Sequence, residues 1–330
     1  MILSSLFRAA LNPTTSLYLM DAMAPEIRPA AWKSLRSGPN SFLIANALIL
    51  IRKATSRELE LARRQREKGG KVIYVIDDDF ESMMEDPNQP SGYRRRLRRW
   101  WERGLPGLHE TATSILVSSD ALKDRFAGLA PTTRVDPYWP IETRPARPAV
   151  ARPFTVAWLG SRSHTEDLAS IAAELADFLR AHPNAALFVP ACARLPAPLN
   201  RLPTGIVRRG PRVDWPAYRD RLRTIGLDVG IYPLLDTPVN RARSINKVLE
   251  HAWCDVPGLY SPEVPFAKRI QEAGGGWLVS RGEWAAALHR IAGSDAERSE
   301  LLQRSSSFAR DIAGQARKEQ LAFWSGQLKS

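Results

Sequence analysis

At 330 residues the chain can hold two ordinary domains, and 44% hydrophobic with 25% charged residues excludes a disordered or fibrous polymer. A net charge of +12 favours anionic partners: nucleic acid, anionic lipid or phosphorylated small molecules. The two cysteines, Cys192 and Cys254, have neither metal-binding spacing nor a disulfide framework, which points to a reducing compartment.

The first residues, MILSSLFRAALNPTT, do not read as a signal peptide, and Phe42–Ile51 is too short to span a bilayer. The expected location is cytoplasmic, with the inner face of a membrane as the alternative. SLYLM (Ser16–Met20) reads as a strand. SFLIANALILI (Ser41–Ile51) is apolar throughout, and periodicity leaves strand and buried helix both open. Ser56 is the expected N-cap of a helix that stops at Gly69–Gly70. KVIYVIDDD (Lys71–Asp79) is a buried strand ending in three acids. Strand alternation predicts Asp77 and Asp79 on one side and Asp78 on the other. Such acids suit a base, a grip on hydroxyls or a divalent ion, or else a cap and turn.

A basic helix spans about Gly92 to Thr111. Its core, YRRRLRRWWERGLPGL (Tyr93–Leu108), combines an apolar and aromatic stripe with arginines. This fits docking on an anionic membrane surface. A solvated arginine face on a domain helix fits equally, and single-stranded nucleic acid is the weaker third reading. SILVSS (Ser114–Ser119) is a strand, followed by a helix capped by Asp120. PYWPIETRPARPAVARP (Pro137–Pro153) has a linker's composition. The predicted domains are therefore residues 1–140 and 154–330 with a linker at 141–153, and the last helix is free to pack back on the first domain.

The second half repeats the strand–helix rhythm. Phe154–Ser161 is a strand running into a Gly-Ser turn, and Asp167–Pro183 is a helix. AALFVP and GIVRRG are strands, and WPAYRDRLRTI is a helix. DVGIYPL is a strand, Ser244–Cys254 a helix, Val256–Ser261 a strand, Phe266–Gly275 a helix and GWLVS a last strand, with helix from about Glu283. The expectation is α/β: two Rossmann-like domains facing each other across a cleft, with chemistry at the strand ends.

Within DVGIYPLLDTPVNRARSINKVLEHAWCDVPGLYS (Asp228–Ser261) a strand runs into a cationic loop and then a helix. Ser244 is expected to cap that helix, with Arg243 and Lys247 adding charge for a diphosphate. Glu250, further along, suits a ribose diol, and a Lys–Glu pair on an ordinary surface helix is the alternative. Gly160, Ser161 and Arg162 form a turn able to approach and grip a phosphate. His164 suits a hydrogen bond to a sugar or phosphate, and a bystander histidine in a loop is the alternative.

The stretch Asp228–Ser261 resembles the donor-binding segment of GT-B glycosyltransferases of group 1 (family 4). VAWLGSRSHTEDL (Val156–Leu168) and VIYVIDDDF (Val72–Phe80) resemble two further segments of the same class. The resemblance implies transfer of a sugar, with retained configuration, from a nucleotide-diphosphate sugar to a glycan or lipid-linked acceptor, in polysaccharide or glycolipid synthesis. It implies donor binding by the second domain, a ribose role for Glu250, diphosphate roles for Arg162 and Lys247, and acceptor binding by the first domain. No metal or further cofactor is needed. The family's second glutamate is replaced by Ala242. A non-catalytic glycosyltransferase-like protein docking on polyanions is the competing expectation.

Overall fold

The computed structural model describes residues 12–23, 35–142 and 152–328. The N-terminal stretch without a predicted signal, residues 1–11, and most of the predicted linker lie outside them. The chain divides into two compact units. One comprises residues up to Pro140 together with Ala242–Ser244 and the chain from Ala313; the other comprises Ile141–Arg241 and Ile245–Ile312.

The first unit is a six-stranded sheet in the order β1 (Arg36–Gly38), β2 (Ser41–Ile44), β3 (Ala47–Ile51), β4 (Lys71–Ile76), β5 (Ser114–Val117) and β6 (Thr132–Arg134). The apolar run Ser41–Ile51 resolves into a hairpin: β2 and β3 pair antiparallel around a two-residue turn, with Ala45 at φ 51°. From β3 to β6 the pairing is parallel. Buried on both faces, β3 and β4 show no alternation of polar and apolar residues. Helix α1 (Ser56–Glu67) starts with a capping box between Thr55 and Glu58, so the cap is Thr55 and not Ser56. Helix α2 (Phe80–Glu85) follows β4, α3 is Ser91–Thr111, and α4 (Asp120–Phe126) is capped by Ser119 instead of Asp120.

SLYLM is not a strand. Ser16–Met20 is a π-helical turn inside a short helical stretch from Pro13 to Met23, started by the Asn12 side chain with Pro13 behind it. Leu17, Tyr18 and Leu19 are all buried, which erases the period that tells helix from strand. The widened turn leaves carbonyls to outside donors: Gln320 donates to Leu17 O and Trp324 to Tyr18 O, both from the last helix.

The second unit is a fully parallel sheet in the order β12 (Trp277–Leu278), β11 (Gly258–Tyr260), β10 (Val229–Tyr232), β7 (Phe154–Trp158), β8 (Ala185–Val189) and β9 (Val207–Arg209). From the other edge this is the doubly wound order in which the third strand comes first, and the chain reverses direction of winding between β7 and β10. The predicted helix from Asp167 is two helices, α5 (Thr165–Ala169) and α6 (Ala172–Ala181). Then come α7 (Trp215–Leu222), α8 (Asn246–Trp253), α9 (Ala267–Ala273), α10 (Trp284–Gly293) and α11 (Asp295–Leu328). The core joins β7, β8 and β10 to α6 and α10 through Trp158, Phe178, Leu187, Ile231 and Trp284. In α11 the residues up to Ile312 belong to this unit and those from Ala313 to the first.

Candidate functional site

In a doubly wound sheet the strand ends beside the winding reversal are left uncovered, because the flanking helices depart on opposite faces. Here those ends are the turn after β7 and the loop after β10. Lys247, on the first turn of α8, donates to Leu159 O at 2.6 Å and forms an ion pair with Glu250. Glu250, 3% exposed, also accepts from the Tyr218 hydroxyl at 3.2 Å. Burial raises the Tyr218 phenol far above its ordinary pKa, and the neighbouring Glu250 charge adds to this, so it remains a donor. Arg162 is exposed beside the turn, with no ion-pair partner for its guanidinium among the described residues. The structure thus gathers Gly160, Ser161, Arg162, Lys247 and Glu250 on one unit.

Two expectations change here. Ser244 does not cap α8, which begins at Asn246 without a side-chain cap. Ser244 and Arg243 group with the first unit. There Arg243 pairs with Asp78 at 2.8 Å, and Ser244 hydrogen-bonds Tyr18. The local reason is that the helix-entry position is Ile245, a buried apolar residue with no capping group. Gly160 has a packing reason as well: an added Cβ would lie 2.2 Å from the Trp158 ring, so glycine is required before any ligand is considered.

His164 is held by Asp167, whose Oδ2 lies 2.8 Å from Nδ1. Asp167 Oδ1 accepts from Leu235 N and Asn240 Nδ2. This carboxylate therefore ties the turn after β7 to the loop after β10. Held through Nδ1 by this carboxylate, the His164 ring is fixed in orientation at the turn after β7.

The acids of β4 are arranged otherwise than alternation predicts. The strand ends at Ile76, so the pleat no longer governs the three that follow. Asp77 and Asp78 share Arg52: its guanidinium reaches Asp77 Oδ1 at 3.1 Å and pairs with Asp78. Thr14 donates to Asp77 Oδ2 at 2.7 Å. Burial raises the Asp77 carboxyl above its ordinary pKa despite Arg52, and the adjacent Asp78 charge raises it further. Asp79 points elsewhere. It is the N-cap of α2, accepting from Ser82 N at 3.1 Å and Ser82 Oγ at 2.6 Å, and it pairs with Arg125 at 2.9 Å. Ala242, at the position of the missing glutamate, is buried.

The aromatic stripe of α3 faces inward. Leu97, Trp101 and Leu108 are buried, and Trp100 donates to Ala54 O at 2.7 Å. Arg95, Arg96, Arg98, Arg99 and Arg103 are exposed. No helix among the described residues is long and apolar enough to cross a membrane.

No family model and no curated protein matches the sequence. Solved structures do. The chain is similar to HepE of Anabaena in complex with UDP and glucose, at 13% identity and TM-score 0.57 over 86% of this chain and 78% of that one. It is similar to WaaG, a glycosyltransferase involved in lipopolysaccharide biosynthesis, at 13% identity and TM-score 0.55 over 82% and 84%. Trehalose-6-phosphate synthase OtsA matches at 14% identity and TM-score 0.51 over 83% and 70%. The fold is GT-B. Within the GT-B fold, the residues that sequence reasoning missed are Thr14, Arg52, Asp167, Tyr218 and Asn240. Arg52 left one legible trace, a cation directly after an apolar run; the others act through contacts between distant segments.

Proposed function

We propose that the protein is a glycosyltransferase that moves a sugar from a nucleotide-diphosphate sugar to an acceptor hydroxyl. The observation that carries this reading is the grouping of Arg162, Lys247 and Glu250 at the β7–β10 reversal, where a doubly wound sheet takes its ligand. Lys247 and Arg162 hold the diphosphate, and Glu250, braced by Tyr218, accepts from the ribose diol. The charge on the departing diphosphate is stabilised by the same cations without a metal. One preorganised group of this kind is worth on the order of 10²–10³ in rate. Structures of HepE with UDP and with UDP-glucose support a uridine nucleotide as the first donor to try. The family-like segments support retention of configuration, and the role of WaaG supports an acceptor in cell-surface glycan or glycolipid synthesis.

On the first unit Asp77 is the candidate to orient the attacking hydroxyl or take its proton. Its raised proton affinity suits that task. The exposed arginines of α3 support peripheral docking on anionic membranes by charge alone, since the aromatics are committed to the core. Arg95→Glu with Arg99→Glu should abolish co-sedimentation with anionic vesicles, and retained co-sedimentation removes this part of the reading.

The donor site is tested by titrating UDP into the wild type, Lys247→Ala and Glu250→Ala. Loss of one charged hydrogen bond corresponds to about 1.5–3 kcal/mol, or roughly 10- to 150-fold weaker binding. UDP affinity unchanged in both folded variants rules the assignment out.

A further inference from the structure

The segment that follows β3 is held in place more tightly than a connecting loop requires. Arg52 sits at φ 58°, a left-handed conformation that disfavours a long side chain. Three consecutive carbonyls then each accept from a distant side chain: Arg52 O from the Tyr74 hydroxyl at 2.7 Å, Lys53 O from Asn40 Nδ2 at 2.8 Å, and Ala54 O from Trp100 Nε1 at 2.7 Å. Backbone strain that is over-determined in this way presents side chains in fixed directions.

The two side chains presented are both cations. Arg52 is committed to Asp77 and Asp78. Lys53 forms no ion pair with a carboxylate among the described residues. Its ammonium lies 5.5 Å from the Phe80 ring centroid and 5.2 Å from that of Tyr93, and it has no hydrogen-bond or ion-pair partner among the described residues. The Tyr93 hydroxyl likewise has no hydrogen-bond partner among them. Arg96, one turn along α3 from Tyr93, adds a third cation whose charge acts on both Lys53 and Tyr93. Partial burial, together with Arg52 and Arg96, lowers the proton affinity of Lys53. Like charges gathered against aromatic faces repel, and an anion between them removes that repulsion.

We propose that Lys53, Tyr93 and Arg96 form a binding site for a phosphoryl group, carried by the acceptor that the adjacent Asp77–Asp78 pair serves. The acceptor half of this statement rests on the glycosyltransferase reading; the phosphoryl site itself does not. The ammonium, the guanidinium fork and the phenol supply several donors in one neighbourhood, which match a tetrahedral dianion better than a planar carboxylate. The Asp78 charge also acts on Lys53, but its carboxylate oxygens are engaged by Arg52 and Arg243.

The full chain is titrated with inorganic phosphate, glucose 1-phosphate, and vesicles of phosphatidic acid in phosphatidylcholine, with UDP affinity measured on the same samples. Saturable phosphate binding is expected, weakened about 10-fold in both Lys53→Met and Arg96→Gln and restored by Lys53→Arg. Arg96 is exposed, so Arg96→Gln folds even if Lys53→Met does not. Preference for glucose 1-phosphate identifies a soluble sugar phosphate as the source, and preference for phosphatidic acid a lipid headgroup. Absent phosphate binding, or binding as tight in the variants as in the wild type, overturns the site. Lost UDP binding with Lys53-dependent phosphate binding intact leaves the site standing and removes the glycosyltransferase reading instead.

Discussion

The ends of β4 and β7 look alike in the sequence, each an apolar run stopping at a short polar turn, yet they are built in opposite ways. At the end of β4 two neighbouring carboxylates are held against arginines supplied from far along the chain: Arg52 reaches both, and Arg243 reaches Asp78. At the end of β7 the turn is shaped by a glycine pressed against Trp158, Lys247 and Glu250 are paired within one helix, and Asp167 holds His164 three residues away. One end depends on ion pairs with distant arginines, the other on a glycine's packing and on hydrogen bonds that tie it to the loop after β10 and to α8. Substitutions at the two ends should therefore fail differently.

The largest effect is expected at Arg52. Arg52→Met leaves Asp77 and Asp78 facing each other with one cation fewer. Breaking a buried pair in this way costs about 3–5 kcal/mol. A quarter of the Arg52 side chain remains exposed, which places the expectation at about 3 kcal/mol. Urea unfolding measures it. Adding Asp77→Asn to Arg52→Met should recover part of the loss, because the uncompensated charge is then removed. A loss that Asp77→Asn leaves untouched would assign the effect of Arg52 to its left-handed backbone, not to charge.

At the other end Gly160→Ala should cost about 2 kcal/mol by overpacking, since Trp158 is 1% exposed and cannot retreat. A substitution without effect would show that the turn relaxes, and the ligand-approach role of Gly160 would then stand alone.

Much of the second unit is legible in the sequence. Its strands are short apolar runs bounded by turn residues, its connections are helical, and the place of the site follows once the alternation of strand and helix is recognised. The residues proposed for the donor, Arg162, Lys247 and Glu250, lie close together in the chain or at adjacent strand ends, where local pattern is informative. The first unit is less legible for a physical reason. Leu17, Tyr18 and Leu19 are buried on every side, so no period survives to separate a helical turn from a strand. The roles of Asp77, Asp78 and Asp79 depend on whether the pleat continues past Ile76 and on Arg52, Thr14 and Arg125, none of which is a sequence neighbour. Ser244 and Arg243 lie next to α8 in the chain, while their contacts are with Tyr18 and Asp78, so the local sequence pattern points to the wrong neighbour.

Asp77 at the end of β4 and His251, on the helix that carries Lys247, differ in the sign of their pH dependence. His251, beneath β10 against Gly230, is buried, bonded to the Tyr260 hydroxyl at 3.1 Å, and pushed down to about 3 by burial and by Lys247. The unfolded chain takes up a proton near pH 6.5 that the folded chain refuses until about 3, so stability falls as pH drops through that window. By pH 5 the loss is on the order of 1–2 kcal/mol, and His251→Gln should flatten it. Asp77 runs the other way: its raised pKa stabilises the fold at low pH, and that contribution is lost as pH rises through the folded value. Stability difference curves for His251→Gln and Asp77→Asn should therefore slope oppositely. Equal slopes would mean that one of the two groups is not held as the structure places it.

The smallest effect separates Asp79 from its neighbours. As the N-cap of α2 it accepts from the Ser82 amide and hydroxyl, and asparagine caps a helix as well as aspartate does. Asp79→Asn removes the charge facing Arg125 but keeps the cap, so stability should change by less than about 0.5 kcal/mol, allowing for the partly exposed arginine. Asp79→Ala removes the cap and should cost about 1 kcal/mol. Neither variant should alter sugar transfer at saturating donor, whereas Asp77→Asn should slow it roughly 10²-fold or more while nucleotide affinity holds. This ordering follows from direction alone: Asp77 shares Arg52 with Asp78, and Asp79 is turned back onto its own helix. A folded Asp79→Asn protein that binds UDP normally and transfers slowly would place the reacting hydroxyl on the α2 side of the strand end, and the role proposed for Asp77 would pass to Asp79.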